Sequence, residues 1–416
     1  MCTAGSPSNP PVAINTPCSQ TGGTKCDGAG SCVECTAGSD CASGVCTGGA
    51  CQTATCSDGV QNHGETGVDC GGPCGICPTV FALAAGSSGT LGGTFNPGGA
   101  WTTSALGDGS KDPPALTVTS AGKGVGLLHS TGGTDLLMFT TWTGGTWTTF
   151  AAVGAGITTR KEPAADALTA SAQAVFQGTD FKHYFTAYDG SAWSAVEAVG
   201  PTGNQSTGPT PAGIAALTAG STIAFFNGNN DPNAEDRLAG VWAPEVLLSQ
   251  DKSFVASPSV IRLSGGGADV MTAFIRQSDG AVMTSTRTAG TWSTPAAIAG
   301  ASAHTDASFG PIEHVALAAL PSGGAILAYR DEATGGIFYS LYAAAAWSAP
   351  AALANPNVVP SAAPSLAHGV GTATAEMAFV ESDGVAYHVR LVAGAWTTPT
   401  AIGGTGLANV TLASAP

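Results

Sequence analysis

The residues with the most evident chemistry are cysteines. All twelve (Cys2, Cys18, Cys26, Cys32, Cys35, Cys41, Cys46, Cys51, Cys56, Cys70, Cys74 and Cys77) fall at the start of the chain, and none follows. Thiols at this density either pair as disulfides or hold a metal. Cys32-Val33-Glu34-Cys35 and Cys74-Gly75-Ile76-Cys77 are C-x-x-C pairs of the sort that ligate zinc. The remaining cysteines fit no second zinc site of standard spacing. An even count permits complete pairing, although the connectivity stays open. A stretch this short, with few large apolar side chains, also needs staples to fold. Disulfides are therefore the expectation, and with them an oxidising, exported setting. In the same stretch Asp58, Asn62, Glu65 and Asp69 offer oxygen ligands at close spacing, as a hard cation such as calcium requires. The bland alternative is that they are turn formers and solvated acids, and the EF-hand loop pattern is absent.

Beyond the cysteines, the familiar catalytic constellations are missing. There is no H-E-x-x-H, no G-x-S-x-G and no Walker loop, and Gly122-Lys123-Gly124-Val125-Gly126 matches no phosphate-binding pattern. Acids such as Asp331, Glu332, Glu376 and Glu381 are present, but a retaining glycosidase needs two carboxyl groups about 5 Å apart, and sequence places no two together. A binding role is expected over an enzymatic one. The net charge is −15, from 28 acids against 13 Lys and Arg, with no basic cluster. Nucleic acid and anionic membrane surfaces, which need basic faces, are therefore disfavoured as partners. No run of 18 apolar residues exists to form a transmembrane helix. The chain opens Met1-Cys2-Thr3 without a recognisable signal peptide. Either Met1 starts a mature exported protein, or Cys2 is a lipidated N-terminal cysteine.

Composition indicates what must position any site. Charged residues are 10% of the chain, against about 25% in ordinary soluble proteins, and Gly is 59 of 416. Many short strands joined by Gly turns fit this better than helices. Tryptophan exposes a repeat: Trp101, Trp147, Trp193, Trp242, Trp292, Trp347 and Trp396 are spaced 46, 46, 49, 50, 55 and 49 apart. Each opens a similar phrase, as in Trp292-Ser293-Thr294-Pro295-Ala296-Ala297-Ile298 and Trp347-Ser348-Ala349-Pro350-Ala351-Ala352-Leu353. Three further short apolar runs precede each Trp, such as 259–263, 270–275 and 281–285, with Gly in the turns between. Four strands in about 49 residues is the unit of a propeller blade.

The first repeat lacks its opening strand, and the chain ends with Ala408-Asn409-Val410-Thr411-Leu412-Ala413, which reads like one. The C-terminus thus completes the first blade and removes an open edge. The expectation is a small disulfide-rich module over residues 1–78, then an all-β, seven-bladed propeller over 79–416. Each repeated Trp packs between blades, and the Pro after it sits on an edge strand. Trp142, outside the repeat, is either core or an exposed aromatic.

Two resemblances add to this. The runs Cys26-Asp27-Gly28-Ala29-Gly30-Ser31-Cys32-Val33-Glu34-Cys35 and Cys56-Ser57-Asp58-Gly59-Val60-Gln61-Asn62 resemble Cys-rich repeats of secreted myxobacterial proteins. That implies a bacterial source and a secreted or cell-surface life. The Trp phrase and its period are similar to fucose-binding propeller lectins, while Asp189-Gly190-Ser191-Ala192-Trp193 is one residue short of the Asp-box of sialidase propellers. The lectin resemblance implies sugar sites between blades, each built from an Arg, an acid or amide, and an aromatic face. Such groups suit a ligand of hydroxyls with one apolar face.

Aligned on the second strand, the candidates are Arg276 with Gln277, Arg330 with Asp331, and Glu381; Asn227, Gln177 and His129 occupy the same place in other repeats. The third strand adds Tyr184, Tyr188, Arg237, Arg287, Tyr339, Tyr342, His388 and Arg390, giving up to three sites around Arg276, Arg330 and Arg390. The competing reading is that these arginines pair with neighbouring acids at little energetic gain. The propeller is then an adhesion scaffold for cell-surface protein partners.

Overall fold

The computed structural model describes residues 12–58, 60–65, 74, 77, 79–97, 99–110, 112–132, 135–200, 210–218, 220–227, 229–252, 257–263, 269–304, 314–321, 323–354 and 360–415. The chain forms two compact units, Met1–Cys77 and Pro78–Pro416.

The first unit has little regular structure. Lys25–Cys26 pairs with Cys32–Val33, and Cys46–Thr47 pairs with Ala50–Cys51. Disulfides join Cys18 to Cys32, Cys35 to Cys46, Cys41 to Cys51 and Cys56 to Cys74, and Cys26 and Cys77 are also disulfide-bonded. Cys32 and Cys35 go to different partners, and Cys74 and Cys77 are both oxidised. The C-x-x-C pairs are thus covalent staples, and the zinc alternative falls away for them.

The second unit is the seven-bladed propeller. Blade 1 runs from the axis outward as Asn409–Ala415, Thr79–Gly86, Gly89–Phe95 and Thr102–Gly107. The last strand of the chain pairs antiparallel with Thr79–Ala85 over seven residue pairs, which closes the ring. The innermost strands of the other blades are Ala115–Val118, Ala164–Ala167, Gly213–Leu217, Ser259–Arg262, Ala316–Ala319 and Ser365–His368, each touching its neighbours in ring order. Small residues let these strands approach. Polar side chains then stitch one blade to the next: Ala216 N–H donates to Asp166 Oδ2, Leu317 N–H to Ser259 Oγ, and Leu412 N–H to Ser365 Oγ.

At the rim the seven Trp side chains fill the seams. Trp147 meets Phe81 of blade 1, Trp193 meets Phe139 of blade 2, Trp242 meets Phe185 of blade 3, and Trp396 meets Tyr339 of blade 6. Trp292 packs on the Ala215 and Leu217 cluster of blade 4. Trp347 donates through Nε1 to Thr284 Oγ1 of blade 5, and Trp101 lies edge-on to His388 of blade 7. Trp142 also joins this packing, 5.0 Å from Phe81, and is half-buried core.

The phrase after each Trp has a specific cause. A continuous edge strand is expected from the sequence, but the strand breaks into two short pieces in five blades. The residue after Trp keeps one backbone bond to the third strand, as in Thr148 N to Thr141 O, Ser293 N to Thr286 O and Ser348 N to Leu341 O. Its hydroxyl then accepts that third-strand residue's N–H: Thr141 to Thr148, Ala187 to Ser194, Thr286 to Ser293, Leu341 to Ser348 and Arg390 to Thr397, at 2.9–3.0 Å. A side chain thus takes over a ladder bond. The backbone that follows is released, and Pro is tolerated there because its missing N–H has no ladder partner to serve.

Two predictions follow from this architecture. Removing residues 409–416 exposes the Thr79–Gly86 edge; the truncated protein should aggregate or lose its cooperative melt, measured by size-exclusion chromatography and circular dichroism. In blade 6 the turn before Trp347 puts Ala344 and Ala345 at φ 49° and 61°. Left-handed backbone costs a non-Gly residue ~1–2 kcal/mol, and glycine's extra chain entropy offsets ~0.5–1. Ala345→Gly should therefore raise the urea midpoint by about 0.5–1 kcal/mol equivalent.

Candidate functional site

Among the described residues two arginine–carboxylate pairs cross seams between blades, Arg237–Glu197 and Arg287–Asp236, and a third, Arg390–Glu376, lies within blade 7 where it faces a seam; the repeat explains the places of the first two. In blades 2 to 7 the residue facing the Trp across the outer hairpin is, in order, Trp142, Tyr188, Arg237, Arg287, Tyr342 and Leu391. Blades 4 and 5 thus present Arg where blades 2, 3 and 6 present an aromatic ring and blade 7 a leucine.

In the blade 3–blade 4 seam, Arg237 forks onto Glu197. Nε contacts Oε1, and Nη2 donates to Oε2 at 3.3 Å. Trp242 Nε1 donates to the same Oε1 at 3.2 Å, and the guanidinium lies 4.7 Å over the Phe185 ring. The Arg237 side chain is 21% exposed and that of Glu197 38%, while Arg237 Nη1 makes no hydrogen bond among the described residues. The set is therefore open to solvent, with a donor and carboxylate lone pairs available and aromatic rings on its flank.

The other two pairs are closed. Arg287, 4% exposed, contacts Asp236, whose other oxygen accepts from Thr222 Oγ1 at 2.6 Å. In the blade 7–blade 1 seam, Glu376 is fully buried and accepts from Arg390 Nη2 at 3.0 Å, from Arg390 Nε and from Val370 N–H, with His388 Nε2 at 2.9 Å. His388 packs against Phe95 and Trp101 of blade 1, and Arg390 Nη2 also donates to Val370 O at 2.6 Å. Burial pushes the Glu376 carboxyl up. The bonds from His388 and Arg390 outweigh that and hold it below its ordinary value. Tyr339 is committed in the same way, edge-on to Trp396.

The remaining candidates lie on turns between second and third strands, where each turn binds the linker arriving from the preceding blade. Gln277 N–H donates to Lys252 O, His304 N–H to Arg330 O, Glu332 N–H to Ser302 O, and Ser361 N–H to Val380 O beside Glu381. Arg276 forks onto Asp279 of its own turn at 2.9 and 2.6 Å and holds that exposed carboxyl at about 2. Asp331 caps its turn, accepting from Ala333 N–H, Thr334 N–H and Thr334 Oγ1, and Arg330 Nε donates to Gly335 O at 3.3 Å. Burial, with Asp383 nearby, raises Glu381. Arg276, Arg330 and Arg390 thus stand in three different blades and are not brought together. Asp189 likewise caps its turn through Ser191 and Ala192 N–H, which lower it to about 2.

Two groupings escaped the sequence reading. Glu197 is the acid four residues after Trp193. The equivalent places are Ala105, Ala151, Val246, Ala296, Ala351 and Thr400, so aligning on Trp alone could have exposed it. Arg160 lies 4.2 Å over Phe181, whose φ of 66° is unusual for a bulky residue. Next to it Tyr184 donates to Asp180 at 2.8 Å beside a 400 Å³ cavity. Arg160 sits in a linker outside the strand alignment, and no signal marked it.

In the disulfide module Asp58, Asn62 and Glu65 do converge. Asp58 accepts from Thr55 and Val60 N–H and from Asn62 Nδ2, and Glu65 Oε2 accepts from Asn62 N–H. The Asp58 carboxylate and Glu65 Oε2 thus act as turn caps in this arrangement. Asp69 lies outside the described residues.

Glu376→Ala would strand Arg390 and His388 in the seam. Removing one partner of a buried pair costs ~3–5 kcal/mol, so the urea midpoint should fall accordingly. Because the folded Glu376 value is depressed, its stabilisation is present above the usual carboxylate range and lost as pH falls through the folded value. The wild-type protein should lose more stability on acidification than the variant does, read from melts at neutral and acidic pH.

No protein-family model matches the chain, and no curated protein matches its sequence. Solved structures are similar in fold. AofleA from Arthrobotrys oligospora aligns with a TM-score of 0.53 at 12% identity, over 82% of this chain and 94% of that one. A protein from Lactobacillus plantarum aligns at 0.51 and 12%, over 80% and 99%. The fucose-specific lectin from Aleuria aurantia aligns at 0.47 and 12%, over 68% and 93%. At these identities the likeness to the first two is one of fold.

Proposed function

We propose that the propeller is a non-catalytic carbohydrate-binding domain whose principal site is the blade 3–blade 4 seam. The observation that carries this reading is the half-exposed Arg237–Glu197 fork flanked by Trp242 and Phe185. Arg237 Nη1 donates to one ligand hydroxyl, Glu197 accepts from another, and an indole face covers the apolar side of a pyranose. The sequence resemblance to fucose-binding propellers points the same way. The turns carrying Arg276, Gln277, Arg330, Asp331 and Glu381 are secondary places for the same chemistry. His388, Arg390 and Tyr339 hold the seams instead. The disulfide module supports a secreted or cell-surface setting.

A second reading, a scaffold for protein partners, rests on a different observation. Leu238, Val241, Val246 and Leu247, all on the outer part of blade 4, are 42–68% exposed. Such a concentration of apolar surface at a sheet edge is a feature of contact sites.

A glycan array with the oxidised full chain, repeated with Arg237→Ala, Glu197→Gln, Arg276→Ala and Arg330→Ala, separates the two. A charge-assisted hydrogen bond is worth ~1.5–3 kcal/mol, so Arg237→Ala should weaken selective binding at least tenfold. Binding that falls only in Arg276→Ala or Arg330→Ala moves the site to the turns. A silent array rejects the carbohydrate reading in favour of the scaffold.

A further inference from the structure

The innermost strands surround an axial channel. Where the linkers feed into these strands, it opens to a cavity of about 220 Å³ with a wall of mixed polarity, whose apolar part includes Pro113, Pro163, Pro258, Val315 and Leu412. At ~30 Å³ per molecule that is the liquid volume of about seven waters. The acid in this wall is Glu162, only 4% exposed. Its Oε1 accepts from Ser257 Oγ at 2.7 Å. That bond ties the linker into blade 3 to the linker into blade 5, past blade 4. Its Oε2 is buried and has no hydrogen-bond partner among the described residues.

Two other buried acids are fully engaged. Asp166 accepts from Ala167 and Ala216 N–H, and Glu376 holds His388 and Arg390. Half of the Glu162 carboxylate is left over, and a buried charge without a partner is costly. The charged groups acting on it are Asp112 and Lys161. Those two are engaged with each other, and Asp112 also with His129. His314 is the remaining titratable side chain of the wall.

We propose that this cavity binds a small primary ammonium compound with an apolar body, held by the Glu162 carboxylate as its counter-ion. The N–H donors of a primary ammonium satisfy Oε2, and the Pro, Val and Leu wall takes the body. Among the described residues no Phe, Tyr or Trp lines the cavity. The described wall thus offers none of the aromatic faces on which quaternary ammonium ligands rely. The inference is independent of the seam reading, because no residue is shared.

Burial pushes Glu162 up to about 7, with Asp112 adding to the rise. The raised value means the empty site is protonated below neutrality. Ammonium binding, which needs the anion, should tighten about tenfold from pH 6 to pH 8 and level off above.

Calorimetric titration of the oxidised full chain with n-butylammonium chloride tests this, with tetramethylammonium chloride and 1-butanol as comparisons. The expected result is one site for n-butylammonium, about tenfold tighter at pH 8 than at pH 6, and no heat from the other two. Glu162→Gln keeps the side-chain shape and should abolish binding while retaining the wild-type circular dichroism spectrum. Absence of n-butylammonium heat at pH 8, binding that survives in Glu162→Gln, or equal binding of tetramethylammonium would overturn the proposal. Should Glu162→Gln fail to fold, the wild-type pH series decides: binding unchanged between pH 6 and pH 8 rejects a role for the carboxylate.

Discussion

Seven sheets surround one axis only if they are drawn close at the centre and wedged apart at the rim. This wedge constraint governs the propeller. At the centre, alanine-rich strands such as Ala164–Ala167 and Ala316–Ala319 approach closely, and short polar side chains of Asp166, Ser259 and Ser365 accept backbone N–H groups from the next blade. At the rim, the largest side chain available fills each gap. Small residues inside and Trp outside set the angle between blades, and the pairing of Asn409–Ala415 with Thr79–Ala85 makes the ring continuous. Without that pairing, an edge strand would stand open to any other chain.

The same constraint decides where ligand chemistry can reside. A Trp in a seam must be supported by what faces it across the outer hairpin. Where that is Tyr188 or Trp142, the seam is sealed with apolar surface. Where it is Arg237 or Arg287, a charge enters the seam and has to be met by a carboxylate from the neighbouring blade. The depth of the pair then separates roles that look alike in composition. Glu376, fully buried, spends its oxygens on Arg390, His388 and Val370, whereas Glu197 on an outer strand keeps solvent contact. Buried pairs of this kind add little net stability but are costly to break, and exposed ones are free to exchange partners with a hydroxyl.

The connections between blades carry a second layer of order. Each turn between second and third strands binds the incoming linker through backbone groups, which is why Arg276, Asp331 and Glu381 stand at bridges to residues 252, 303 and 360. The side chains of Arg276 and Asp331 fold back onto their own turns. The linkers in turn deliver Glu162 and Ser257 to the channel mouth, so the axis and the rim are governed by the same segments.

The sequence by itself determined the blade count, the borrowed first strand and the seam Trp, because each is a local pattern repeated at a fixed period and the hydrophobic requirement is the same in every copy. Cysteine count and spacing likewise implied disulfides, although not which pairs form, since connectivity depends on chain paths that spacing does not encode. Only the tertiary structure decided the polar sites. Arg390 and Arg237 are both third-strand arginines near the repeat Trp. What separates them is the depth of the acid each one meets, Glu376 from its own blade and Glu197 from the neighbouring one. Arg276 reads in the sequence as an isolated guanidinium, but Asp279, three residues on, pairs with its fork. Glu162 and Ser257, 95 residues apart, meet only because the ring brings two linkers to one axis. Repetition writes packing into sequence many times over. A polar constellation across a seam or a channel is written once, in residues whose proximity exists only after the ring has closed.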